Sequence, residues 1–271
     1  MILLFGDSWA RQSWQHVNSD TATGYQHWHW PNTWVANNVN DWFNNYFATP
    51  CINFAEFGNT NDWIVDNLRQ RLPMSTLSGT VDLVVYQTDP LRIFAPRMDY
   101  TDMSIVWPRF LAWCQQQDFD WQQGTVSELI DRIFRQWYRQ LTVFVRWPQP
   151  QRLECRYRIW LVGGVGKLHP TVQHFGVSVL IPSVCEYFGL AQDTQFENRS
   201  SLKSLIDHWQ QHIHGAARQR LLDDYLAIDD ILHAKERFWL DRPEYFAGRH
   251  LTARAFAELA DHIESQLELA P

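Results

Sequence analysis

The sequence predicts a three-layer α/β/α sandwich built on a parallel sheet of about five strands. Three observations carry that prediction. Short apolar or β-branched runs recur along the chain, each closed by glycine or proline, as in strands buried on both faces. Stretches with helical spacing follow these runs, which implies right-handed crossovers between parallel strands. The 271 residues contain no linker rich in Pro, Gly or Ser and no low-complexity tract, so residues 1–271 read as a single domain.

The first strand is Ile2-Leu3-Leu4-Phe5, which stops at Gly6 and presents Asp7 and Ser8 at its carboxyl end. In open α/β sheets that end is where ligands and chemistry collect, so Ser8 is a candidate nucleophile. Residues 11–50 show no sustained period and predict a short helix, a long loop and a second helix around 34–47. The run 51–55 reads as the second strand, and Thr60 or Asn61 caps a helix over 62–72. Residues 81–86 form a β-branched third strand, closed by Pro90.

A Trp-rich insertion spans about 91–156, with Trp107, Trp113 and Trp121 in its first half. Its second half predicts a helix, opened by the capping box of Thr125 and Glu128 and striped by Leu129, Ile133, Phe134, Trp137 and Leu141. Residues 158–162 and 177–181 give the fourth and fifth strands. Helices follow over 201–213 and 216–239, and a last one over 251–267. The pattern is that of a flavodoxin-like sandwich.

A net charge of −7, a pI near 5.8 and the lack of a Lys/Arg cluster argue against a nucleic-acid partner. No apolar run is long enough to span a membrane, and no basic segment precedes the first strand, so the expected location is cytoplasmic, with no membrane partner. Cys51, Cys114, Cys155 and Cys185 are widely spaced and read as reduced thiols. The unusual figure is 15 Trp residues. The segments 25–34 and 107–121 combine aromatic rings with polar neighbours, a composition that suits sugar faces as well as the packing of loops.

Several other groups carry less. Gly163-Gly164-Val165-Gly166-Lys167 lacks the spacing of a phosphate loop and reads as a strand-end turn. The pairs His27/His29 and His212/His214 have no Cys or carboxylate to complete a ligand set, so neither metal nor cofactor is expected. His169 follows the fourth strand too early to belong with a C-terminal base.

Gly6-Asp7-Ser8 after the first strand, Gly58 after the second and His250 before the last helix follow the block order of the SGNH (GDSL-type) hydrolases, which this chain resembles over most of its length. The resemblance implies that Ser8 is the nucleophile, that His250 is the base, and that the Ser8 and Gly58 N–H groups form an oxyanion hole. Residues 53–58 look like the family's second block, with Ala55 in place of an earlier glycine. Two blocks depart. Asp89 falls where the family has the oxyanion-hole Asn, and a carboxylate there would repel the developing charge. Protonation of Asp89, its turning away while Gln87, Thr88 or Asn59 donates, or neutralisation by Arg92 would each relieve this, with Arg92 the favoured partner. Ala247 stands where the family has the acid three residues before the His. Asp241 is the favoured substitute, with Glu244 or a backbone carbonyl as alternatives.

The function so implied is a serine esterase acting on a small-molecule or glycan ester, such as an O-acyl carbohydrate, with the Trp-rich segments as substrate walls. The alternatives are acyl transfer to a sugar hydroxyl and a catalytically impaired binding or assembly protein.

Overall fold

The computed structural model describes residues 1–17, 33–36, 42–72, 79–95, 101–146, 155–247 and 249–269. Five parallel strands form the centre: β1 (Ile2–Phe5), β2 (Cys51–Asn53), β3 (Gly79–Gln87), β4 (Cys155–Gly163) and β5 (Ser178–Ile181). Their order is β2-β1-β3-β4-β5, that of flavodoxin-like doubly wound sheets. Ile2 pairs with Cys51 on one side and Asp82 on the other, and the longest ladder joins β3 to β4 from Gly79/Cys155 to Gln87/Gly163.

Strand alternation splits the core into two layers. Leu3 and Phe5 of β1, with Val81, Leu83 and Val85 of β3, face a cluster filled by α1 (Asn61–Arg71), α2 (Met103–Gln116), α3 (Val126–Arg146) and, beyond the short α4 (Val184–Tyr187), α5 (Arg199–Trp209). Ile2, Leu4, Val84 and Tyr86 face the opposite way, onto the C-terminal part of α6 (Gly215–Asp241) and onto α7 (Ala253–Leu269). With β1 buried on both faces, each of its side chains contributes roughly 1.5–3 kcal/mol of transfer free energy.

Local signals account for most helix starts. The Thr60 hydroxyl accepts from Trp63 N at 3.1 Å to cap α1. At α3 the Glu128 carboxylate accepts from Thr125 N at 2.9 Å while the Thr125 hydroxyl accepts from Glu128 N at 3.3 Å, the reciprocal box that the sequence predicts.

Three segments differ from expectation. The helix expected over 34–47 is instead a strand at Thr33–Ala36, paired antiparallel with Trp14–Val17, and a 3-10 turn at Phe43–Tyr46. Trp34 and Val35 are strand formers, and pairing with Trp14–Val17 overrides the weak local helical pattern. The short helix expected within 11–50 does not lie at 11–17, where a turn leads into that ribbon, and residues 18–32 and 37–41 lie outside the described residues. The first half of the insertion holds α2, which its Trp content and internal Pro108 disguise. Asp102 caps it by accepting from Ser104 N at 3.0 Å, and Val106, Phe110 and Cys114 bury one face at intervals of four.

Within α6 sits a fully buried ion pair. Lys235 Nζ lies 2.7 Å from Asp193 Oδ1 and donates to the carbonyls of Val165 and Phe196 at 2.5 and 3.1 Å. Asp193 also accepts from the Ser183 hydroxyl at 2.7 Å. Burial works to lower the Lys235 pKa, but the Asp193 carboxylate reverses this and holds it above its ordinary value. This pair fastens the irregular segment 193–198 to the helix. No described helix is long and apolar enough to cross a membrane.

Candidate active site

The chain leaves β1 through a turn that only glycine fits at residue 6. A Cβ there would lie 2.8 Å from both Ala10 Cβ and Tyr86 Cβ. The turn is closed by Ala10 N–H donating to Asp7 O at 3.1 Å and by Trp9 N–H donating to Asp7 Oδ1 at 3.0 Å. The Trp9 side chain is completely buried and packs against Trp239 of α6 and against Phe246, with ring centroids 6.2 and 6.1 Å apart.

Phe246 belongs to a two-stranded ribbon, Phe246–Ala247 paired with His250–Leu251, that leads into α7. One aromatic contact therefore fixes both the turn that carries Ser8 and the ribbon that carries His250. The result is that His250 Nε2 and Ser8 Oγ, 242 residues apart in sequence, lie 3.0 Å apart. An alcohol and an imidazole at this distance can pass a proton.

Gly58 follows β2 in a left-handed conformation (φ 70°), which a Cβ would disfavour. Neither the Ser8 nor the Gly58 N–H has an acceptor among the described residues. Asn59 Nδ2 donates to Gly6 O at 2.9 Å, tying this turn to the Ser8 turn.

Asp89 does not face the oxyanion position. Its Oδ1 accepts from Leu91 N at 2.7 Å and its Oδ2 from Glu197 N at 2.6 Å, so it caps the 3-10 turn Pro90–Ile93 and anchors the segment at 197. The groups considered as donors in its place are engaged elsewhere. Thr88 N and Oγ1 donate to Asn61 Oδ1 at 2.9 and 3.2 Å, and Gln87 Nε2 donates to Lys167 O at 2.8 Å.

Arg92 is not the hydrogen-bonding partner of Asp89 either: its Nη1 donates to Asp7 Oδ2 at 2.8 Å and its Nη2 to Glu197 Oε2 at 2.6 Å. The physical reason is demand, since Asp89 already has two amide donors while Asp7 and Glu197 need a cation. Burial lifts Asp89 to about 6, helped by the Glu197 charge, and burial lifts Asp7 to about 6 against the pull of Arg92. Burial works to raise Glu197 as well, but the charges of Arg92, Arg249 and His250 outweigh it and hold that carboxyl below its ordinary range.

Asp241 is exposed at the end of α6 and makes no hydrogen bond or ion pair with His250. Glu197 is a buried acid whose carboxyl feels the charge of His250. Sequence reasoning missed it because Glu197 lies 105 residues from Arg92 and in no motif.

Trp107 and Trp121 pack with His208, His212 and Phe110 against α5, on the sheet face opposite the layer that holds Trp9, Phe246 and Leu251. They form no wall to the Ser8–His250 pair; the other expected wall, 25–34, falls outside the described residues apart from the backbone of the ribbon strand. His169 caps a 3-10 turn through Thr171 and stacks on Phe134 at 5.6 Å. No group of three or more metal-ligating side chains occurs among the described residues.

The Asp89 geometry has a kinetic consequence. Were the chain an esterase in which Asp89 stood in for a missing oxyanion donor, Asp89→Asn would raise kcat/KM by about 100-fold; with the carboxylate held by two amides, such an enzyme would change by less than about threefold. The sign of its pH effect is also fixed. A carboxyl raised from 3.8 to about 6 by folding stabilises the fold below pH 4 and loses that contribution as pH rises through 6. Relative to wild type, Asp89→Asn should therefore gain about 1–3 kcal/mol of stability between pH 4 and pH 7, read by urea denaturation at both values.

Comparison of the chain with models of protein families, with characterised proteins and with solved structures gives no match.

Proposed function

We propose that the chain is a serine esterase of SGNH type. The observation that supports this reading is the 3.0 Å contact between Ser8 Oγ and His250 Nε2 at the carboxyl end of β1. In the proposed cycle the hydroxyl oxygen of Ser8 attacks the ester carbonyl carbon as its proton passes to His250 Nε2. The N–H groups of Ser8 and Gly58 bind the oxyanion. Collapse of the tetrahedral species expels the alcohol, which takes the proton from the imidazolium. Water then attacks the acyl-serine with His250 again as base, releasing the acid and restoring Ser8.

Where the family pattern has an acid three residues before the base, Glu197 supplies negative charge that favours the imidazolium from another part of the chain. A fluorophosphonate that reacts with activated serines should label the protein, with the adduct mapped to Ser8 by mass spectrometry. Labelling at any other serine, or none at all, would sink the reading and favour a binding or assembly role for the fold.

A further inference from the structure

We propose that Arg11 is an anion-recognition point beside the catalytic pair, so that the preferred ester carries a carboxylate on its acyl or alcohol part. The inference rests on the esterase reading of Ser8 and His250 and names a substrate class for it.

The Arg11 guanidinium carbon lies 4.9 Å from the ring centroid of Trp42 and 4.9 Å from that of Phe57. Both attachments belong to the site. Arg11 N–H donates to Ser8 O at 3.5 Å in the nucleophile turn, and Phe57 immediately precedes Gly58, the second oxyanion donor. Asn53 Nδ2 donates to Ala10 O at 2.7 Å and locks that turn to the end of β2.

Aromatic rings engage a guanidinium through its faces and leave the edge, where the N–H groups point, for a planar carboxylate. The two rings also hold the side chain in place, so less rotamer entropy remains to be lost on binding. The other arginines near the site already have acids. Arg92 is shared by Asp7 and Glu197, and Arg249 Nη2 lies 3.8 Å from Glu236 Oε1. Arg11 has no acidic partner among the described residues, in a chain where acids exceed bases by seven, and its Nε is buried without an acceptor. A half-buried cation held between two rings, three residues after Ser8 in the same turn and with no acidic partner among the described residues, is a receptor for an anion.

The test separates binding from turnover. Ser8→Ala protein is titrated calorimetrically with monoethyl succinate and with diethyl succinate, which share the ester and differ in one carboxylate. The monoester should bind at least about tenfold more tightly. That preference should vanish in Ser8→Ala/Arg11→Gln and return in part in Ser8→Ala/Arg11→Lys, where charge is restored without the planar fork. Equal affinity for the two esters, no measurable binding of either, or a preference that survives Arg11→Gln with the fold intact by circular dichroism would overturn the proposal. Should wild-type protein hydrolyse neither ester while the Arg11-dependent preference holds, the esterase reading fails and the anion site stands.

Discussion

Ser8→Ala is expected to lower kcat/KM for a chromogenic acetate ester by about 10⁴-fold or more while barely changing stability. The rate argument follows from the proposed cycle, in which the hydroxyl is the group that becomes acylated. Without it only oxyanion binding and proximity remain, and in serine hydrolases a nucleophile knockout leaves a residue of that kind. The stability argument is separate. The Ser8 side chain makes one hydrogen bond, to His250, and such a bond contributes about 0.5–1.5 kcal/mol. The melting temperature should therefore move by no more than about 5 °C. A variant that retains the wild-type rate removes Ser8 as nucleophile. One that loses rate and stability together removes the distinction between a catalytic and a structural serine.

Arg92→Met is expected to be the most destabilising single change at the site, by about 3–5 kcal/mol at pH 8. Arg92 is the cation between Asp7 and Glu197, both buried, and methionine would leave two carboxylates facing each other in a medium of low polarity. The penalty should shrink at pH 5. Asp7 already titrates near 6 with Arg92 present, and removing the cation raises it further, so at pH 5 Asp7 is protonated and neutral and no longer repels Glu197. Equilibrium urea unfolding at the two pH values gives both numbers. A loss below about 1 kcal/mol at pH 8, or one that grows as pH falls, would contradict the charge arrangement. Because Asp7 accepts from Trp9 N and so shapes the nucleophile turn, activity should fall with the fold here, unlike in Ser8→Ala.

What the sequence made legible divides along physical lines. The five strands and most helices follow from local patterns, namely apolar runs ended by glycine and caps such as Thr60 and Thr125, because these are decided within a few residues. Ser8, Gly58 and His250 were legible as positions in an ordered set of strand ends. The support around them was not. Asp89 looks like a damaged oxyanion donor in one dimension, yet in three it is a cap whose second oxygen holds Glu197 N–H. Asp241 is near His250 in sequence but ends up exposed, while Glu197, far off in the chain, is brought to the site by Arg92 and by the loop it sits in. Partners that meet across more than a hundred residues leave no period and no spacing to read. The same limit applied to Trp107 and Trp121, whose polar neighbours suggested a sugar platform and whose packing is against α5.

The buried Lys235–Asp193 pair also governs how the molecule opens. The segment 193–198 has no regular secondary structure, so its amides would ordinarily exchange with solvent hydrogen early. Here Lys235 grips Phe196 O, Asp89 takes Glu197 N–H, and Thr194 O accepts from Lys167 N at 2.9 Å. The loop cannot lift without exposing an ion pair and pulling on the C-terminal part of α6. The Glu197 amide should therefore exchange as slowly as those of β3, and only through global unfolding. Glu197 would thus be held by an irregular loop with the persistence of a central strand.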